Sequence, residues 1–379
     1  RKARMMIPAC PLPVWRELYD KAIAFREIAC WEWMSDSQVF GIQAVDSEEI
    51  GYCCVLGELG EVFGLVVYLG SEGLEIQRKI QTGKLRSTSP ESRYSQKCLT
   101  VWFSNRGELD KTDLATAKKL GYNFKGRNVW PQFRSMRPGY YPWHLTESEA
   151  IFLTDCLDQA RFVAIRLDED PGWLDPPKKN YFLIRVPGIG QRRDSDDPIG
   201  ADAKPRNFSR AVEQRQLFSG FAASSDLDWR SVWRKPTPVE TRLPVFRLDE
   251  VRLQRIKNSC RNRGGNWEID AFYSPSPVDG DDRPYFPYTY LCVDQHSGMI
   301  LESVLAEPSK WTADFPQALL ATIEKNKLLP SALWLRNRPL LELLKPLAQR
   351  LGVDVIAAKK LSSLDEAKQA LRKFLAGER

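Results

Sequence analysis

The chain has 379 residues, 43% hydrophobic and 27% charged. That balance excludes wholesale disorder and a collagen-like chain, and at about 150 residues per domain it suggests two or three domains. The net charge of +6, from 55 basic and 49 acidic residues, permits phosphate attraction without demanding it.

In chain order, Val14–Trp33 has apolar residues near helical spacing and predicts a helix. Val39–Val45 predicts a strand. Gly51–Leu56 and Val62–Leu69 predict a hairpin across Gly57-Glu58-Leu59-Gly60. A helix is expected at Leu74–Thr82, then a polar loop through Glu91, a strand at Cys98–Phe103 and a helix at Asp113–Leu120. The aromatic, Pro- and Gly-rich stretch Asn128–Trp143 reads as an ordered loop. Thr146 with Glu149 forms a capping box opening a long helix, Glu147–Leu167. Tyr181–Val186 adds one more strand. These elements make an α+β domain over residues 1–187. Residues 188–245, broken by Pro198, Pro205, Pro236 and Pro238 and by the charged tract Arg192–Asp197, read as an irregular connector.

Residues 246–379 form the second expected domain. A basic helix, Asp249–Arg263, precedes strands Trp267–Tyr273, Thr289–Asp294 and Met299–Leu305, the last two joined by the tight turn Gln295-His296-Ser297-Gly298. Helix Ala313–Lys327, strand Ala332–Leu335, helix Pro339–Leu351, strand Val353–Ile356 and helix Ser363–Ala376 follow, with Glu366 as the expected capping acid of the last helix. The order β-β-β-α-β-α-β-α implies an α/β mixed sheet whose later strands are parallel.

That order resembles the ribonuclease H-like fold. Trp267-Glu268-Ile269-Asp270 resembles the Trp-x-x-Asp start of integrase and transposase cores. Tyr290–Ile300 resembles their second and third strands with an Asp-x-x-[ST]-Gly type of turn. Leu329-Pro330 resembles the approach to their fourth strand, and Leu351-Gly352-Val353 the entry to their fifth. The resemblance spans Trp267–Leu375. It implies carboxylates converging on two divalent metals that clamp a phosphodiester, with Asp270 as the first-strand acid and Glu366 as a match for the last-helix acid. The second acid should follow the fourth strand, but Leu335-Arg336-Asn337-Arg338-Pro339 holds no carboxylate. The expectation is therefore a degraded acidic site with no metal and no cofactor, in a non-catalytic binding or assembly module. One alternative is a divergent nuclease or strand transferase using Asp270, Asp294 and Glu366 with Mg or Mn. Another is a protein–protein module that self-associates or binds a partner through surfaces built from some of its 12 Trp. Through Trp15–Trp33, Gly51–Gly73 and Arg127–Thr146 the whole chain is also similar to a group of bacterial two-domain proteins with no assigned activity.

Two segments are candidates for single-stranded nucleic acid. In Lys125–Trp143, Arg127, Arg134 and Arg137 interleave with Trp130 and Tyr140, so phosphates could be gripped while bases stack; the competing reading has the aromatics plugging the core. In the basic helix, Arg252, Arg255 and Arg261 form either a phosphate-tracking or a merely solvated face. The Gly-rich turns match neither a P-loop nor a dinucleotide fingerprint. His144 and His296 lack a neighbouring nucleophile and are too few and too far apart for a common zinc site. Eight Cys without a C-x-x-C pair read as reduced, buried thiols, hence a cytoplasmic setting. Arg1–Arg4 leads into Pro8, Cys10, Pro11 and Pro13, unlike a secretory leader, and no apolar run reaches the roughly 20 residues of a membrane span.

Overall fold

Residues 10–86, 89–188, 228–239, 246–247, 249–260 and 262–376 are described in a computed structural model of the chain. The N-terminal lobe runs α1 (Leu12–Ile28), β1 (Phe40–Gln43), β2 (Ile50–Leu56), β3 (Gly64–Leu69), α2 (Gly70–Gln81), α3 (Pro90–Ser95) and β4 (Cys98–Ser104). It continues through α4 (Lys111–Lys119), β5 (Trp130–Met136), α5 (Glu147–Glu169), β6 (Phe182–Gly188) and β7 (Asp228–Arg234). Its seven strands lie in the order β5-β4-β3-β2-β1-β6-β7, with β1 and β6 parallel and every other pair antiparallel.

Strand periodicity divides this sheet into two faces. Cys53, Val55, Leu65, Val67, Leu99 and Val101 face α1 and α5, which bury Leu18, Phe25, Leu153 and Leu157 against them. Tyr52, Cys54, Val66 and Tyr68 face the other way, with Leu74 of α2. The Thr146 hydroxyl accepts from the Glu149 amide while the Glu149 carboxylate accepts from the Thr146 amide, the reciprocal cap expected of that pair. Helix α1 stops short of Trp33 because Ala29 turns left-handed (φ 53°) and a short 3-10 turn follows.

Three expectations change. Asn128–Trp143 is not a loop throughout: β5 occupies its middle as a strand paired with β4, and Ser135 bridges to Trp143. Its inward residues are Pro131, Phe133 and Ser135; a proline and a serine hid the alternation. The connector of residues 188–245 holds β7, an edge strand on β6, while residues 189–227 and 240–245 lie outside the described residues. Where a polar loop was expected, Ser89 caps the short α3 by accepting from the Ser92 amide.

The C-terminal lobe runs α6 (Glu250–Ser259), β8 (Asn262–Arg263), β9 (Asn266–Tyr273), β10 (Tyr288–Asp294), β11 (Ile300–Ala306), α7 (Trp311–Asn326) and β12 (Leu328–Leu329). Then come β13 (Ala332–Leu335), α8 (Arg338–Leu351), β14 (Asp354–Ala357) and α9 (Ser362–Ala376). The sheet order is β11-β10-β9-β13-β14, antiparallel from β11 to β9 and parallel from β9 to β14. Trp267, Ile269, Leu333 and Leu335 face α7 and α8, whereas Leu291 and Val293 face Leu364 and Ala367 of α9. A mixed sheet in a mixed α/β lobe is what the alternation of elements implied.

The lobes meet at the segment after β5. The Gly139 amide donates to the Tyr94 carbonyl at 2.8 Å, the Phe286 amide to the Gly139 carbonyl at 2.8 Å, and the Tyr141 amide to the Pro284 carbonyl at 2.9 Å. The Tyr94 ring sits 4.9 Å from Tyr273 and 5.0 Å from Phe286. Gly139 has φ +79°, and a Cβ there would come within 2.6 Å of Pro308 and 2.8 Å of Tyr273. Gly139→Ala should therefore destabilise the protein by about 1–2 kcal/mol from backbone strain alone, with the clash adding to it. Urea unfolding of the variant, read as a lowered midpoint, checks this.

Candidate functional site

Strand β9 alternates Trp267, Ile269 and Ala271 into the main core of its lobe with Glu268 and Asp270 on the α9 side. Both acids are buried, at 3% and 5% exposure. Glu268 accepts from the Leu364 amide at 2.8 Å and from the Gln295 side chain at 3.3 Å, so it satisfies one of the free amides opening α9. The expected capping pattern is thus corrected. Ser363 turns its hydroxyl to the Gln295 carbonyl, Glu366 is exposed, and the acid at the helix end comes from β9.

Register places Arg336 beside Asp270. Leu335 pairs with Ile269 across the parallel β13–β9 ladder, and the next residue continues along it. Arg336 Nη2 donates to Asp270 Oδ2 at 2.5 Å, while its two amino groups reach both oxygens of Asp365 at 3.0 and 3.2 Å. The hydrogen bonds to Asp365 first, and those to Asp270 next, hold the guanidinium well above its ordinary pKa despite partial burial. Asn337, one residue on, caps α8 by accepting from the Leu340 amide and donates to the Ala271 carbonyl and the Tyr288 hydroxyl.

The trio expected of a nuclease does not assemble. Asp294 pairs with Trp267, three residues along from Asp270, roughly 10 Å at strand rise, and on the opposite face. It closes its own turn, accepting from the Ser297 amide and hydroxyl at 2.8 Å each. The acid of α9 that reaches the cluster is Asp365 and not Glu366. The segment between β13 and α8 contributes a cation where a metal site needs a ligand. A divalent ion does not fit between Asp270 and Asp365 with a guanidinium already bound to both.

A second cluster lies in the other lobe. Asp110 caps α4, accepting from the Thr112 and Asp113 amides, and its Oδ2 lies 3.4 Å from His144 Nε2. Asp110, Asp113 and His144 could offer three ligand atoms within 4.8 Å of one another. Arg134, however, donates to both oxygens of Asp113 at 2.9 and 2.7 Å and to Asp110 at 3.0 Å. Burial keeps the His144 pKa below its usual value although Asp110 pulls the other way.

The other candidates are mostly engaged within the fold. Trp130 is 8% exposed and lies edge-on to Phe124 at 5.1 Å. Arg137 pairs with Glu149 at 2.9 Å, the Tyr140 hydroxyl donates to Glu307 at 3.0 Å, and Arg252 forks onto Glu324 at 3.0 and 2.7 Å. Arg127 and Arg255 are exposed. Arg261 lies outside the described residues. The thiols of Cys30, Cys54 and Cys98 are pushed up to about 12 by burial, which leaves them protonated and poor nucleophiles.

Sequence reading missed Glu268, Asp365 and the Asp110–Asp113 pair. One signal was present for Glu268: two acids at i and i+2 in an otherwise apolar strand share a face. The others needed tertiary placement.

Residues 15–185 match a domain of unknown function (DUF7309) and residues 252–372 another (DUF6930). No curated protein matches. Among solved structures, the chain is similar to one in the Mos1 strand transfer complex at 15% identity, with a TM-score of 0.20, covering 45% of this chain and 62% of that one. A second, the Mos1 transposase paired-end complex with left transposon end, gives 15% identity and a TM-score of 0.17, covering 44% and 61%. The chain thus spans about three fifths of the length of those transposase chains, and superpositions that loose carry no argument. Among the described residues no helix is long and apolar enough to cross a membrane.

Arg336→Met should destabilise the protein by about 1–3 kcal/mol, because a buried carboxylate loses its partner while the partly exposed site lets water soften the loss. Arg336→Met with Asp270→Asn should recover most of that, as a double-mutant cycle by urea unfolding would measure. For His144, the folded pKa lies below the unfolded value near 6.5, so the unfolded chain takes up the proton first as pH falls. Stability should drop as pH goes below about 6.5 toward the folded pKa, and His144→Gln should flatten that slope in denaturant titrations run from pH 7.5 to 5.5.

Proposed function

We propose that the C-terminal lobe is a ribonuclease H-like frame whose acidic centre is closed by an internal arginine, and that the chain works as a binding or assembly module without phosphodiester chemistry of its own. The observation that carries this is the Arg336 guanidinium bound to Asp270 and Asp365 at once. A strand order of β11-β10-β9-β13-β14, with α9 on the acidic face and α7 and α8 on the other, supports the frame. The proposed extent of the frame is residues 246–379, after an N-terminal lobe of residues 1–187.

A protein surface, whether a partner or a second copy, is the ligand class this reading favours over stacked bases. Trp130 and Tyr140, the aromatics that would stack, are held inside the molecule or against the other lobe. Phosphate contact then falls to exposed side chains such as Arg127 and Arg255, which lack that platform.

A labelled single-stranded oligonucleotide of mixed sequence tests the reading directly. Incubated with the full chain and Mn²⁺ or Mg²⁺, it should remain uncut, and calorimetric titration of Mn²⁺ should show no tight two-site isotherm. Metal-dependent cleavage that disappears in Asp270→Asn would overturn the proposal.

A further inference from the structure

Ser135, on β5, marks the point where the C-terminal lobe touches the first sheet. It exchanges two backbone hydrogen bonds with Trp143, at 2.8 and 3.0 Å, so the two side chains leave that ladder on the same face. Arg283 enters from the other lobe and is 5% exposed. Its Nη2 lies 3.3 Å from Ser135 Oγ. Its Nη1 is buried and meets no acceptor of the protein, and neither does the buried indole Nε1 of Trp143.

Leaving a buried donor unmatched is costly, and more so when it is charged. Glu149, whose charge acts on Arg283, is already engaged: it accepts from the Ser135 hydroxyl at 2.8 Å, from Arg137 at 2.9 Å and from the Thr146 amide at 2.9 Å. Burial lowers the Arg283 pKa to about 10, and the Arg137 charge pushes the same way. Glu149, already bonded to Arg137, acts on Arg283 only through space, and the exposed Asp282 adds a weaker pull. Arg137, whose side chain is 49% exposed, opens the junction to solvent.

We propose that this junction between the lobes binds a compact oxyanion, a carboxylate or a phosphate, received by Arg283 Nη1 and the Trp143 indole with Arg137 at its mouth. The oxyanion supplies the acceptors that the protein does not, and it balances the surplus positive charge. Because its donors come from both lobes, binding also fastens one lobe to the other.

Thermal unfolding of the full chain, followed by tryptophan fluorescence, tests this with sodium phosphate and sodium acetate at an ionic strength held constant with NaCl. A saturable rise in Tm of about 2–5 °C is expected as the anion exceeds its Kd. A rise with phosphate alone assigns the site to phosphate groups, and a rise with both salts to oxyanions generally. No rise with either overturns the proposal and leaves water as the partner of these donors. Arg283→Met should abolish the rise. In NaCl alone it should be no less stable than the parent, since it removes a charge that lacks a partner there; marked destabilisation in NaCl would overturn the proposal. Should Arg283→Met fail to fold, Arg137→Gln decides. A weakened anion response supports the site, and an undiminished one refutes it.

Discussion

A carboxylate buried on a strand walled by apolar neighbours loses several kcal/mol of hydration, which a cation at contact distance offsets. Asp270 is that carboxylate, and the C-terminal lobe is arranged around its partner. A guanidinium suits the place because its planar fork can hold two acids in fixed directions, which a lysine ammonium does less well. The parallel β13–β9 ladder delivers Arg336 to Asp270, and the first turn of α9 delivers Asp365 to Arg336. Neighbouring contacts hold the same corner: Glu268 binds an amide at the start of α9, and Asn337 ties α8 to β9. One cation thereby ties two neighbouring strands to the start of a helix.

The N-terminal lobe solves a similar problem in a similar way. Asp110 and Asp113 crowd the opening of α4, and Arg134 from β5 lies across both. In each lobe, side chains that could have formed a metal-type cluster are closed by an arginine from a neighbouring strand or its end. This also explains why, in a chain with net charge +6, Arg134 and Arg137 of its most basic aromatic segment are taken up by acids of the same lobe. The acids facing Arg134 and Arg137 come from α4 and α5, and the acceptor for Tyr140 comes from the other lobe. A window of sequence rich in arginine and aromatics shows the donors while hiding acceptors that lie far away along the chain.

That distinction separates what was legible in the sequence from what was not. The C-terminal lobe read clearly, because its strands are short apolar runs bounded by Gly and Pro and its helices carry strong amphipathic spacing, as in Arg338–Leu351. The N-terminal hairpin of β2 and β3 and the capping box of α5 were equally plain. Strand β5 was obscured because Pro131 is its second residue, Ser135 takes an inward position and the half-buried Gln132 and Arg134 resemble loop residues. Strand β7 was obscured because an edge strand with partly exposed Trp229 and Trp233, each followed by an arginine, buries too little to impose a clear period. At the site, the resemblance singled out Asp270, and the lack of a carboxylate in Leu335-Arg336-Asn337-Arg338-Pro339 was plain in the sequence. The role of Arg336 was not, since a one-residue shift in a parallel ladder moves a side chain to the opposite face. The same sensitivity exchanged Glu366 for Asp365.

The lobe junction resolves a problem that the first sheet creates. Strand β5 lies at its edge, and a bare edge invites pairing with other chains. Trp143 pairs back onto Ser135, and the Gly139–Tyr141 segment is hydrogen-bonded to the 284–286 stretch of the other lobe. The end of that edge is thus covered by the molecule itself. Covering it brings Arg283 into the interior, where a charge is costly unless matched, and places it beside Glu149, the acid that also caps α5. The cap of α5, the edge of the first sheet and the loop preceding β10 consequently share one small group of charges. A change in protonation or occupancy there bears on both lobes together, so the two sheets are joined by electrostatics as well as by the rings of Tyr94, Tyr273 and Phe286.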